Sequence, residues 1–154
     1  MSNPTATSPR VPLPSLLLGF GPVALLPILA ILSFVVPLWE AWIPITAGQI
    51  WGAAILLFLA GVRRGLSFFT DGGPRPIQLV TMGWLFLLGL AGLLLPTASA
   101  LLALIVGYGS VALLDPRAAR REEVPAHFAT LRPPQMLIAM IGLAGLAWRV
   151  VSTA

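Results

Sequence analysis

The sequence predicts an all-α integral membrane protein, a bundle of five transmembrane helices with its N-terminus inside and its C-terminus outside. Three observations carry that prediction: a composition too apolar for water, five apolar runs of membrane-spanning length, and arginines gathered on one side of those runs. Of 154 residues, 58% are hydrophobic and only 9% charged, with a mean hydropathy of +0.96. Ordinary soluble domains are roughly one quarter charged, so this chain lacks the polar side chains to cover a water-facing surface. It has no cysteine and one histidine, His127. Disulfide frameworks, thiol catalysis, thiolate zinc sites and iron–sulfur ligation are thereby excluded.

Residues 1–14 hold four prolines with Ser, Thr and Asn and a single charge, Arg10; they read as a disordered tail. Residues 15–151 form one membrane domain. A hydrocarbon core about 30 Å thick takes around 20 apolar residues per helical crossing. The first run, 15–36, contains Pro22 and Pro27 and is expected to be a bent crossing helix whose freed carbonyls are satisfied by its neighbours. It is too long for a signal-peptide core, and no cleavage is expected. The second, 47–69, is uncharged from Ala47 to Val62, and then Arg63 and Arg64 fall at a membrane boundary. The third and fourth, 77–95 and 97–114, are separated by Pro96 and read as a tight hairpin. A polar connection, 115–134, leads to the fifth run, 135–151.

Cytoplasmic connections retain Lys and Arg. With the tail inside, that side holds Arg10, Arg63, Arg64, Arg75, Arg117, Arg120, Arg121 and Arg132, and the other side holds only Arg149. Because the arginines separate apolar runs and form no continuous stripe, they read as topology determinants, with no nucleic-acid partner implied. Trp39, Trp42 and Trp148 lie at the outer ends of their runs and read as an interfacial aromatic belt.

Within the five runs no ionisable residue lies deep, which argues against proton relays and ion-coupled carriers. Arg63 and Arg64, with Arg120 and Arg121, are candidate contacts for a lipid phosphate or another anion; the alternative is that they only anchor their helices. Asp115, on the same side, is the candidate partner of Arg63. Gly48, Gly52, Gly61 and Gly65 form two small-x-x-x-small spacings in the second run, the pattern that lets another helix approach closely. Gln49, Thr81, Ser99, Tyr108 and Ser110 read either as lining for a neutral-solute path or as cross-links between helices. The loop carrying Arg120–Glu123, His127 and Phe128 reads either as a short helix on the membrane surface or as a solvated connection. No nucleophile elbow, metalloprotease motif or phosphate loop is present, and no catalytic, cofactor-binding or metal-binding residue is assigned.

Residues 51–65 read Trp-Gly-Ala-Ala-Ile-Leu-Leu-Phe-Leu-Ala-Gly-Val-Arg-Arg-Gly, and the later segment carries Asp115, Pro125-Ala-His-Phe128, Leu131-Arg132 and Pro134. Both segments resemble a membrane family designated domain of unknown function 3429, which includes transmembrane protein 69. Leu57, Ala60, Arg64 and the pair His127-Phe128 depart from the family pattern, which has serine, glycine, tryptophan and Trp-Tyr there. The resemblance implies a five-helix protein of the bacterial inner membrane, or by analogy the mitochondrial one. It implies no activity and no cofactor.

These observations make the chain a non-catalytic membrane protein, an accessory or assembly subunit that packs against other membrane subunits and lipids in a larger, energy-transducing or other complex. The alternative is a small transporter or channel for a neutral or anionic solute, with Arg63 and Arg64 at its inner mouth.

Overall fold

The computed structural model describes residues 13–70, 72–121 and 128–153. The described residues are helical, without strands: α1 Leu13–Val35, α2 Trp42–Ser67, α3 Pro76–Leu94, α4 Thr97–Arg120 and α5 Phe128–Val151, with a short 3-10 turn at Leu38–Glu40. Four segments, Leu38–Ser67, Pro76–Leu94, Thr97–Arg120 and Thr130–Val151, are long and apolar enough to cross a membrane, and α1 contributes a shorter apolar stretch, Gly19–Val35. Most of residues 1–14 and the connection from Glu122 to His127, including Glu123, lie outside the described residues.

Consecutive helices pack side by side, α5 returns to α1, and α2 lies against all four of the others. The bundle therefore has two ends. One gathers the start of α1, the end of α2, the start of α3, the end of α4 and the start of α5; it carries Arg63, Arg64, Arg75, Arg117, Arg120, Arg121 and Arg132. The opposite end carries Glu40, Trp39, Trp42, Trp148 and Arg149. The three tryptophans are 75%, 64% and 67% exposed respectively. Between the ends the outer surface is apolar, with Ile31, Val35, Phe58, Leu87 and Leu102 all exposed. Water-soluble monomers rarely show apolar patches beyond a few hundred Å².

The α1–α5 contact depends on a missing side chain. A Cβ at Gly142 would sit 2.5 Å from the Leu26 carbonyl carbon and from Pro27 N, so only glycine lets these two backbones approach this closely. In α2, Gly48 faces Leu146 of α5, and Gly52 would meet Leu104 of α4 and Leu143 of α5 at 3.2 Å each. Gly61 and Gly65 have open space around them. Among the described residues no other helix of this chain reaches Gly61 or Gly65, so of the two spacings expected to pack, against this chain or a partner, only the first is used inside the bundle. Leu26, Leu56, Leu104, Tyr108 and Leu143 fill the interior and are fully buried.

Two helix ends differ from the expected 97–114 and 135–151. α4 runs through Pro116 to Arg120, and α5 begins before Pro133 and Pro134. Proline removes one N–H and crowds the carbonyl four residues back, but its fixed φ is helical. On α4, Arg117 Nη1 donates to the Leu113 carbonyl at 2.7 Å, beside the Ala112 carbonyl that Pro116 leaves without its donor. On α5, Arg132 is drawn to Asp115, which holds the segment before the prolines against α4. The expected connection 115–134 shrinks accordingly to residues 121–127. The other ends shift by a few residues, α2 most of all: it starts at Trp42, five residues before the expected 47.

The remaining bends are local. Gly72 and Gly73 take φ of 80° and 92°, a region open to glycine, and turn the chain from α2 into α3. There Arg75 N donates to Gln78 Oε1 at 2.9 Å and Pro76 occupies the first helical position, where its missing N–H costs nothing.

Candidate functional site

Two arginines of the arginine-rich end, Arg63 and Arg132, meet at Asp115, in the last third of α4. Arg63 Nη2 from α2 donates to Asp115 Oδ1, Arg63 Nη1 donates to Thr81 Oγ1 of α3 at 3.1 Å, and Arg132 Nε from α5 lies 3.5 Å from Asp115 Oδ2. One carboxylate thus joins α2, α4 and α5, and Thr81 adds α3. The side chains of Arg63, Asp115 and Arg132 are 9%, 6% and 14% exposed. Charges so enclosed persist only when paired and hydrogen-bonded, and each oxygen of Asp115 faces a different guanidinium.

Arg64 turns elsewhere. It donates to Ser67 Oγ at 3.2 Å and lies 4.2 Å from the centroid of the Phe68 ring, the last residue of its own helix and the one that follows it. Arg63 and Arg64 therefore point to separate partners and do not converge on one anion. Arg120 and Arg121 are exposed at the end of α4, and Arg75 Nη1 donates to the Arg121 carbonyl at 3.5 Å.

Polar side chains between the two ends reach across helices or bond their own turn. Gln49 Nε2 donates to the Gly92 carbonyl of α3 at 2.9 Å, Tyr108 Oη to the Gly52 carbonyl of α2 at 2.9 Å, and Trp84 Nε1 to Ser110 Oγ of α4 at 3.1 Å. Ser99 bonds the Pro96 carbonyl at 2.8 Å. Trp51 Nε1 reaches the Pro22 carbonyl at 2.8 Å, attaching α2 to the proline-bent part of α1. At the far end Arg149 Nε donates to the Ser33 carbonyl at 2.9 Å. Ser33 belongs to the last turn of α1, where carbonyls lack helical donors and the helix dipole favours a cation.

Compared with family models, with curated proteins and with solved structures, the chain gives no match. The site is accordingly read from its own geometry. Among the described residues no three His, Cys, Asp or Glu side chains come together to hold a metal; His127 lies outside them. Sequence reasoning missed Arg132 as a partner of Asp115, Gly142 as the tightest crossing point and Gln135 as a buried amide, 2% exposed. Arg132 and Gln135 flank the Pro133-Pro134 pair, which reads as a loop. For Gly142 a signal does exist: Ala139, Gly142 and Gly145 stand three residues apart, a small-residue stripe along α5.

Proposed function

We propose that the chain is a non-catalytic integral membrane protein, oriented N-terminus inside and C-terminus outside in the bacterial inner membrane, that serves as an accessory or assembly subunit of a larger membrane complex, an energy-transducing one included. The observation that carries this reading is the use of its polar groups. Arg63, Asp115, Arg132, Gln49, Tyr108 and Trp84 all bond other helices of the same chain, so they hold the bundle together. A solute path needs such groups turned toward an open channel. The apolar outer faces of the helices are then available to lipid and to other subunits.

The orientation is supported by the gathering of arginines at one end, following the positive-inside tendency. The inner-membrane location rests on the resemblance of residues 51–65 and of the Asp115–Pro134 segment to the family containing transmembrane protein 69, and membership of that family is part of the proposal. Native purification from membranes in several mild detergents, followed by mass spectrometry, tests the reading. Co-purification with the same membrane subunits in each detergent is expected, and a lone monomer throughout would overturn it.

A further inference from the structure

Toward the arginine-rich end α1 and α2 leave between them a groove of about 480 Å³, floored by α5. That volume falls in the usual range of ligand sites, roughly 300–1,000 Å³. Phe58 and Trp51 on its rim are 67% and 39% exposed, whereas Gln135 and Met136 on its floor are 2% and 1% exposed. Pro22, Val23 and Ile55 make its walls apolar. Among the described residues the Gln135 amide has no hydrogen bond, while the other two glutamines are engaged: Gln49 donates to the Gly92 carbonyl and Gln78 to Thr70 Oγ1, each at 2.9 Å. Every fully enclosed polar side-chain atom among those residues has a partner, so the Gln135 amide keeps an opening onto the groove it lines. Gly19 of α1 makes room for it, since a Cβ there would collide with Gln135 Nε2.

A buried amide left unmatched in an apolar wall is costly. Bonds such as Gln49 to the Gly92 carbonyl join helices that touch, and a carbonyl on a helix of another subunit could complete an amide on the outer face of the bundle in the same way. Gln135 is not on that face. It belongs to α5, behind α1 and α2, and a helix about 10–12 Å across resting on the exposed Phe58 and Trp51 would hold its main chain above the floor. A single hydrocarbon chain is slender enough to enter. Arg132 is already engaged by Asp115, and the apolar walls penalise a charged head, so the amide sets the chemistry of the occupant. A primary amide donates through Nε2 and accepts through Oε1; an occupant that answers both carries a donor beside an acceptor. We propose that the groove binds an uncharged acylglycerol. One acyl chain lies along Ile55 and Phe58 beside Trp51, the free hydroxyl donates to Gln135 Oε1, and the neighbouring ester carbonyl accepts from Gln135 Nε2.

Trp51 lines the groove and provides a reporter. A full-length chain retaining only Trp51, with Trp39, Trp42, Trp84 and Trp148 replaced by Phe, is purified and placed in phosphatidylcholine vesicles. Diacylglycerol brominated at the middle of its acyl chains is then titrated in, and compared with phosphatidylcholine carrying the same brominated chains and esters but no free hydroxyl beside them. Saturable quenching of Trp51 by diacylglycerol at low mole fraction is expected, with phosphatidylcholine quenching in simple proportion to its amount. Ala54→Phe, which fills the groove, removes the saturable part. Gln135→Leu raises the half-saturating fraction of diacylglycerol about 2- to 10-fold for each hydrogen bond lost and leaves quenching by phosphatidylcholine unchanged, a contrast that mere loosening of the bundle would not give. Equal quenching by the two lipids, saturable or not, overturns the site. Protection of Trp51 from both overturns it too, because a protein segment would then fill the groove. In the wild-type chain, native mass spectrometry with equimolar diacylglycerol and phosphatidylcholine is expected to show diacylglycerol preferentially retained, and equal retention overturns the site. Both measurements use the purified chain alone, so their outcome is separate from whether it assembles with other subunits.

Discussion

Asp115 divides its carboxylate between Arg63 and Arg132 in a nearly closed environment, so its removal leaves two guanidinium groups side by side with the charge between them gone. Breaking a buried pair from one side typically costs about 3–5 kcal/mol. Asp115→Ala is expected to lower the unfolding free energy by about that amount in detergent, measured by denaturant titration of the purified chain. Arg63→Leu is expected to fall in the same range, since it leaves Asp115 with Arg132 alone and Thr81 without its donor. Arg64→Trp is expected to stay within about 0.5 kcal/mol of wild type, because the partners of Arg64 among the described residues, Ser67 and Phe68, lie at the end of its own helix and tie it to no other. Equal losses from Arg63→Leu and Arg64→Trp would contradict this ranking. That Arg63 and Asp115 lie toward the same end is readable from the order of the apolar runs. The part played by Arg132 is not, because two adjacent prolines look like a loop until the ion pair that holds the helix ahead of them is known. Gln135 is hidden for a related reason: a lone amide in an apolar run reveals nothing about which side of the helix it occupies.

Between helices, the shape of one residue decides how near two backbones come. Gly142→Ala would push a methyl group against the backbone of Leu26 and Pro27, atoms that cannot swing aside as a side chain tip would, and overpacking of this kind costs about 1–3 kcal/mol. Gly61→Ala and Gly65→Ala, with open space around both positions, are expected to be neutral or to stabilise by up to about 1 kcal/mol through helix propensity. Thermal unfolding of the three variants in one detergent checks the contrast, and a loss at Gly61 as large as at Gly142 would refute the assignment of the crossing. The existence of five helices is legible from apolar runs punctuated by Pro37, Pro96 and the Gly72-Gly73 turn. Their ends are less so, since Pro116, Pro133 and Pro134 all sit inside helices, where a proline's fixed φ is compatible with the helical backbone. Which glycines pack is decided by rotation about the helix axis, and a four-residue spacing cannot reveal that.

At the scale of the molecule, the separation of arginines from tryptophans gives the bundle a direction that can be measured. The chain contains no cysteine, so single cysteines can be introduced without background. With membrane-impermeant maleimide on intact cells, Ser152→Cys is expected to label from outside, and Pro74→Cys only after permeabilisation; the reverse pattern would invert the proposed orientation. The node at Asp115 also sets a timetable for synthesis. Arg63 and its carboxylate partner are 52 residues apart, and at roughly 5–20 residues per second the ribosome delivers Asp115 about 3–10 s after Arg63. During that interval the nascent α2 holds a guanidinium whose counter-charge has not yet been made, although its bond to Thr81 of α3 is already within reach. A chain interrupted before α4 would therefore expose an unneutralised arginine at the bundle's end, a mark by which a membrane protease or chaperone could tell an unfinished product from a complete one.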